Sequence, residues 1–335
     1  MKVCVFSSKR YDERFLKPAL RRAKHNPVFF ETRLTPQTAN LAQRFDAVCG
    51  FVNDSFGGAT LERLHKQGIR LIVLRCAGFN NVDLEAARNL NIAVARVPTY
   101  SPHAVAEHTV GLILAVTRRL HKAYNRVRDG NFSLEGLLGF DLFEKTVGIV
   151  GTGQIGAVAA RILLGFGCRV LAFDPYPNEE LEEMGVIYCA VDRLASESAV
   201  ITLHCPLTRE THHLVDEEFL AKTAEGVTIV NTGRGALVDT GALIGGLKSG
   251  RIGAVALDVY EEETDLFFED LSAQVIQDDV FARLLTFPNV LITGHQGFFT
   301  KEALEAIARQ TANNLTNFED GAVSDDDPAF VLGPD

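Results

Sequence analysis

An arginine, a run of glutamates and a histidine are the residues of this chain that could do chemistry together. Arg234 stands in Asn231-Thr232-Gly233-Arg234-Gly235, Glu261, Glu262 and Glu263 follow Asp258-Val259-Tyr260, and His295 stands in Thr293-Gly294-His295-Gln296. A guanidinium offers a rigid fork of donors that can hold a carboxylate and polarise a carbonyl beside it. An imidazole titrates near neutral pH and can pass a proton to that carbonyl's oxygen. A neighbouring carboxylate raises the imidazole pKa and orients the ring. Such a set suits reduction of a 2-oxo acid, in which the carbonyl carbon receives a hydride and the oxygen a proton. Taken singly, a glycine-flanked arginine is often a surface cation and a strand-end histidine a capped structural residue. Their occurrence at successive strand ends downstream of a dinucleotide signature argues for catalysis. Spacing alone does not say which glutamate faces the histidine.

The hydride needs a carrier, and the chain has a place for one. The apolar run 147–150 leads into Gly151-Thr152-Gly153-Gln154-Ile155-Gly156 and then a helical pattern, with Asp174 closing the next apolar run. Gly151 permits a tight turn, Gly153 lets a pyrophosphate approach the backbone, and Gly156 lets the helix pack on the sheet. The N–H groups of Gln154 and Ile155 then face the phosphates at the positive end of the helix dipole. Asp174 can accept from the ribose hydroxyls and would repel a 2′-phosphate, and residues 174–180 contain no Arg or Lys to pair one. The expected cofactor is therefore NAD and not NADP.

Alternating strand and helix patterns must position these groups. Strands are expected at 2–7, 47–51, 71–74 and 92–96, with helices at 15–22 and 59–67, which makes a first parallel α/β unit. A long helix over 103–121 follows, then a polar stretch at 126–138. The second unit has expected strands at 147–150, 169–173, 199–204, 227–231, 253–258 and 289–293, matching a doubly wound nucleotide-binding sheet. Ligands bind beyond the carboxyl ends of such strands, which places His204-Cys205-Pro206 beside the groups above. A last helix is expected over 300–318, and the acidic tail 319–335 is expected to be poorly ordered or loosely draped.

Composition limits the alternatives. The 335 residues suffice for two domains, 47% of them are hydrophobic, and the net charge of −10 argues against nucleic acid or an anionic membrane as partner. No apolar run is long enough to span a membrane. The N-terminus enters a strand pattern directly, with no signal-peptide pattern. Six cysteines lie mostly in apolar runs without C-x-x-C spacing, as expected of reduced thiols in a cytoplasmic protein. His212 and His213 are adjacent, so they are expected to point apart, and no metal site is expected.

Several motifs together resemble the D-isomer-specific 2-hydroxyacid dehydrogenase family, and within it the bacterial fermentative D-lactate dehydrogenases. They include Leu74-Arg75-Cys76-Ala77-Gly78-Phe79-Asn80-Asn81-Val82-Asp83, Val97-Pro98-Thr99-Tyr100-Ser101-Pro102, Val105-Ala106-Glu107-His108, the glycine loop, His204-Cys205-Pro206-Leu207 and the three strand-end segments. The resemblance implies that Arg234, Glu263 and His295 are the catalytic trio. It implies further that Asp258 lies near the nicotinamide, that Cys205-Pro206, Thr211 and Thr232-Gly233 contact the cofactor, and that the Ala77-Gly78 amides cradle the substrate carboxylate. Phe51, Tyr100 and Phe298 or Phe299 become the pocket walls, and large walls suit a small substrate such as pyruvate, giving D-lactate. Many members carry a proline after the catalytic glutamate, where this chain has Thr264; a subtype difference is the reading here.

The same resemblance implies an NAD-binding Rossmann domain at 101–298 nested in a discontinuous, flavodoxin-like substrate domain at 1–100 plus 299–335. Two crossings near 100–101 and 297–300 would let the domains close over the cofactor. A homodimer or homotetramer is implied, with small-molecule substrates and neither nucleic acid nor membrane as partner. Glyoxylate, hydroxypyruvate or a branched 2-oxo acid are alternative substrates, and a dinucleotide-sensing corepressor-like protein is the alternative from another class.

Overall fold

The computed structural model describes every residue except 264, 265, 325, 334 and 335, so Thr264 lies outside the described residues. The chain divides into two compact units, Met1–Ser101 with Phe299–Asp335, and Pro102–Phe298.

In the first unit β1 (Lys2–Val5), β2 (Asn26–Phe29), β3 (Ala47–Gly50), β4 (Leu71–Leu74) and β5 (Ala93–Ala95) alternate with helices. They are parallel and lie in the order β2-β1-β3-β4-β5, the flavodoxin-type arrangement. β3 and β4 are buried throughout, as strands covered on both faces must be. The returning helix Lys301–Glu319 lays Ala308, Ala312 and Leu315 on Val3, Val5, Leu71 and Val73, beside Leu16 and Leu20 of helix Arg10–Arg22. β2 escapes a hydrophobic-pattern search because it carries Pro27. It pairs with β1 alone, at the sheet edge where a missing N–H is tolerated.

The second unit holds β6 (Thr146–Val150), β7 (Arg169–Phe173), β8 (Ile187–Tyr188), β9 (Val200–Leu203), β10 (Val227–Asn231), β11 (Ile252–Leu257) and β12 (Val290–Ile292). All are parallel, in the order β8-β7-β6-β9-β10-β11-β12. This is the doubly wound nucleotide-binding order, reversing between β6 and β9, with two-residue β8 too short to leave a sequence pattern. The helix expected over 103–121 stops sooner. It spans Pro102–Thr117, and a separate helix, Leu120–Arg128, starts after Arg119 in the left-handed region at φ +52. Gly139 packs so closely on the Thr117 carbonyl that a Cβ there would collide with it.

The acidic tail also departs from expectation. β13 (Phe330–Leu332) pairs antiparallel with β5 on the first unit's sheet, and Ala329 is buried before it. Four apolar residues after the aspartates suffice to anchor what charge alone predicted to be loose.

Candidate active site

The glycine turn has the geometry its sequence demands. Gly151 sits at φ +92, a conformation that favours glycine. A Cβ on Gly151 would meet the His204–Cys205 backbone, and one on Gly156 would strike the Gly151 carbonyl oxygen. Gly153 caps helix Gln154–Gly165, and its Cβ position is open, with nothing within 4 Å. The close packing is thus on the sheet side and the open side is the one a pyrophosphate needs. Asp174, at the end of β7, accepts from the Thr152 amide at 2.7 Å and hydroxyl at 3.2 Å and from the Tyr176 amide at 2.9 Å. Its carboxylate therefore also holds the turn in shape.

The loop after β9 backs this turn. Burial pushes the His204 pKa down to about 4 and the Cys205 thiol up to about 11, so both stay neutral near pH 7. Thr211 pins the same loop, its hydroxyl donating to the Pro206 carbonyl at 2.6 Å. After β10, the Asn231 amide side chain donates to the Arg234 carbonyl at 2.8 Å and accepts from the Gly233 amide at 3.0 Å. The Arg234 loop is thereby folded onto a fully buried residue. Arg234 itself donates to the Gly233 carbonyl at 2.8 Å, and the buried Thr232 hydroxyl meets that of Thr109 at 2.8 Å.

A histidine–glutamate pair forms beyond the ends of β11 and β12. His295 Nδ1 lies 2.8 Å from Glu263 Oε1, and Glu263 Oε2 accepts from the Tyr260 amide at 3.1 Å. That settles which glutamate faces the histidine. With Nδ1 engaged, Nε2 is the nitrogen left to exchange a proton. His295 lies at φ +51, a strained backbone for a non-glycine residue and a mark of functional sites.

Asp258 holds that strain. Its carbonyl oxygen accepts from the His295 amide at 2.7 Å, while its carboxylate accepts from the amides of Gln296 at 2.9 Å and Gly297 at 2.7 Å. Thr293 Oγ1 donates to the same carboxylate at 2.5 Å, and His108 Nε2 lies 3.1 Å from it. Burial pushes the Asp258 carboxyl upward, but the hydrogen bonds from His108, Thr293 and the Gln296 amide outweigh it and bring the pKa below the ordinary value. The part played by His108 could not be derived from spacing, because 150 residues separate it from Asp258.

The aromatic candidates divide. Phe298 is buried and lies edge-on to His295, centroids 6.4 Å apart, whereas half-exposed Phe299 packs edge-on against Tyr11 at 4.8 Å. Phe268, which no motif flagged, lies 5.6 Å from the imidazole.

In the first unit a buried ion pair supports the segment after β4. Arg75 donates to Asp12 at 2.9 Å and to the Ser7 carbonyl at 2.9 Å, with its guanidinium 4.8 Å over the Phe51 ring. Ala77 and Gly78 follow, and among the described residues their backbone N–H groups make no hydrogen bond. The Ala77 carbonyl is held by Arg96 at 3.0 Å. Half-exposed Tyr100 ends this part of the unit, one residue before Ser101.

One expectation fails. His212 and His213 do not point apart: their ring centroids lie 3.9 Å apart, with the ring planes tilted by 30°. His213 has a φ of +53, and this left-handed turn removes the alternation that extended neighbours would have.

Comparison with known proteins identifies the family. Residues 110–297 match the NAD-binding domain of D-isomer specific 2-hydroxyacid dehydrogenases. D-lactate dehydrogenase of Escherichia coli is 53% identical over 96% of this chain and 98% of its own length. The chain belongs to the D-isomer specific 2-hydroxyacid dehydrogenase family. A Schizosaccharomyces pombe 2-hydroxyacid dehydrogenase homolog is 49% identical over 99% of both chains. Among solved structures, the apo D-lactate dehydrogenase of E. coli superposes with a TM-score of 0.90 at 48% identity, covering 99% of this chain and 100% of that one. The Aquifex aeolicus D-lactate dehydrogenase complexed with NAD and lactic acid gives 0.88 at 33% identity, with the same coverage. The protein is an NAD-dependent oxidoreductase. The open face of Gly153, the turn at Gly151 and the acid at the end of β7 fit that cofactor. Among the described residues, no helix is long and apolar enough to cross a membrane.

Proposed function

We propose that this enzyme interconverts pyruvate and D-lactate. The observation that carries the reading is the 2.8 Å contact of His295 Nδ1 with Glu263, on a histidine backbone held in the left-handed region by Asp258. NADH, when bound, supplies the hydride. Arg234 binds the substrate carboxylate and polarises the 2-oxo group. His295 Nε2 delivers the proton to the carbonyl oxygen on reduction and removes it on oxidation. Glu263 fixes the ring and balances the charge of the imidazolium. The unpaired amides of Ala77 and Gly78 receive the substrate carboxylate, and Phe51, Tyr100 and Phe298 or Phe299 restrict its side chain. Asp174 selects NAD, with Gln154, Ile155, Cys205, Pro206, Thr211, Thr232 and Gly233 lining the cofactor. The unit containing residues 1–100 serves the substrate.

We also propose self-association. Leu120, Tyr124 and Val127 expose one face of helix Leu120–Arg128, and Phe132, Leu134, Leu138 and Phe143 are exposed beyond it. A patch of this kind favours a homo-oligomer. Six free cysteines suit the cytoplasm. The test is turnover with NADH on pyruvate, 2-oxobutyrate, glyoxylate, hydroxypyruvate and 2-oxoisocaproate, followed by chiral analysis of the product. Pyruvate should give the highest kcat/KM and a D-product. A clear preference for another oxo acid refutes the substrate assignment, and an L-product refutes the stereochemistry.

A further inference from the structure

The closely spaced imidazoles of His212 and His213 do not stand alone. His213 Nε2 lies 2.5 Å from Glu261 Oε1, and ligand atoms of all three residues lie within 4.8 Å of one another. We propose that His212, His213 and Glu261 form a binding site for a divalent transition metal ion, of which Zn²⁺ is the best match.

Two neutral imidazoles with one carboxylate are a ligand set for zinc, with N and O donors each about 2 Å from the ion and a fourth position left to water. An ion pair between His213 and Glu261 would explain that contact alone. It does not explain why a left-handed residue at φ +53 brings a second imidazole to within 3.9 Å of the first. The surroundings supply what a zinc site needs around its ligands. Thr240 Oγ1 donates to Glu261 Oε2 at 3.2 Å, and Asp239 Oδ2 lies 3.9 Å from His213 Nδ1. His212 is exposed and the other two are half-buried, so an ion can enter from solvent. A tetrahedral ion requires the His213–Glu261 contact to open to about 3.3 Å, within reach of side-chain rotation.

The position gives the site a consequence. The His213 amide donates to the Ala236 carbonyl at 2.8 Å, just beyond Arg234, and Glu261 stands two residues before Glu263. A bound ion would tie the Glu261–Glu263 segment to the segment that hydrogen-bonds the chain just beyond Arg234.

The test uses the full-length protein, stripped with chelator. Zn²⁺ is titrated by calorimetry, and Co²⁺ is titrated as a spectroscopic probe, both without substrate, so the result is independent of the proposed reaction. One ion should bind per chain, with the visible absorption of four-coordinate Co²⁺ and no sulfur charge-transfer band. His212→Ala should weaken Zn²⁺ binding by more than about tenfold while leaving metal-free turnover unchanged. Glu261→Gln, a near-isosteric change, should weaken it as well. Unaltered affinity in both variants, a thiolate spectrum, or no stoichiometric binding by the wild type would overturn the proposal.

Discussion

Replacing Asp258 by Asn removes one charge and changes almost no volume, which makes it a sharp perturbation of this site. In the wild type, one carboxylate oxygen receives Thr293, the Gln296 amide and His108, and the other receives the Gly297 amide. An asparagine can keep its carbonyl toward the first three. Its NH₂ group then faces the Gly297 N–H, donor against donor. With Asp258 only 1% exposed, water cannot rescue the pair. Loss of one charge-assisted bond, with weakening of the others, costs about 3–5 kcal/mol. For a unit of this size that corresponds to a fall in Tm of about 10 °C. The loop bearing His295 is the element released, so kcat should fall about 100-fold. The pKa direction sets the pH dependence. A carboxyl held below its ordinary value contributes fully above about pH 4, and loses that contribution as pH falls through the lowered folded value. The stability gap between wild type and Asp258→Asn, measured by urea denaturation, should therefore stay constant from pH 8 to pH 5. A gap below about 1 kcal/mol, or one that closes by pH 6, would refute the reasoning.

Three other perturbations probe the cofactor side. Asp174→Asn removes the charge that opposes a 2′-phosphate, and the kcat/KM ratio of NADPH to NADH should rise about tenfold for roughly 1.4 kcal/mol; a ratio unchanged within measurement error would mean the carboxylate serves only to hold the Thr152 turn. Gly156→Ala drives a methyl into the Gly151 carbonyl, and overpacking of about 1–3 kcal/mol should appear as weaker NADH binding in a fluorescence titration, against an unaltered Kd if the turn were loose. His204, held neutral with a folded pKa of about 4, contributes stability above its ordinary pKa of about 6.5 that is lost as pH falls toward 4. His204 as a whole residue is half-buried, so the loss is about 1–2 kcal/mol; Tm should drop more between pH 7 and pH 5 in the wild type than in His204→Gln, and equal drops would contradict it.

Short-range features of the site were legible in the sequence, and long-range ones were not. The glycine turn, the acid closing β7 and the chemical groups after β10, β11 and β12 sit within a few residues of the strands that place them, so periodicity located them. The choice of Glu263 over Glu261 came from family resemblance, and the structure supplies its physical basis in the Tyr260 amide that holds its second oxygen. No local pattern announces that His108 meets Asp258, or that Phe268 comes close to His295. The left-handed backbones of His213 and His295 carry no residue signature, because the usual marker of that conformation is glycine. β2 was hidden by its proline, β8 by its length and β13 by the acids before it.

The central claim is that His295 transfers the proton and does not hold the cofactor. His295→Gln should be compared with the wild type in two numbers, the rate of pyruvate reduction in a single turnover and the Kd for NADH. The expected result is a rate lower by about 10²–10⁴-fold with NADH affinity essentially unchanged. A variant that turns over nearly as fast as the wild type, or that loses NADH affinity in proportion to its rate, would contradict the account.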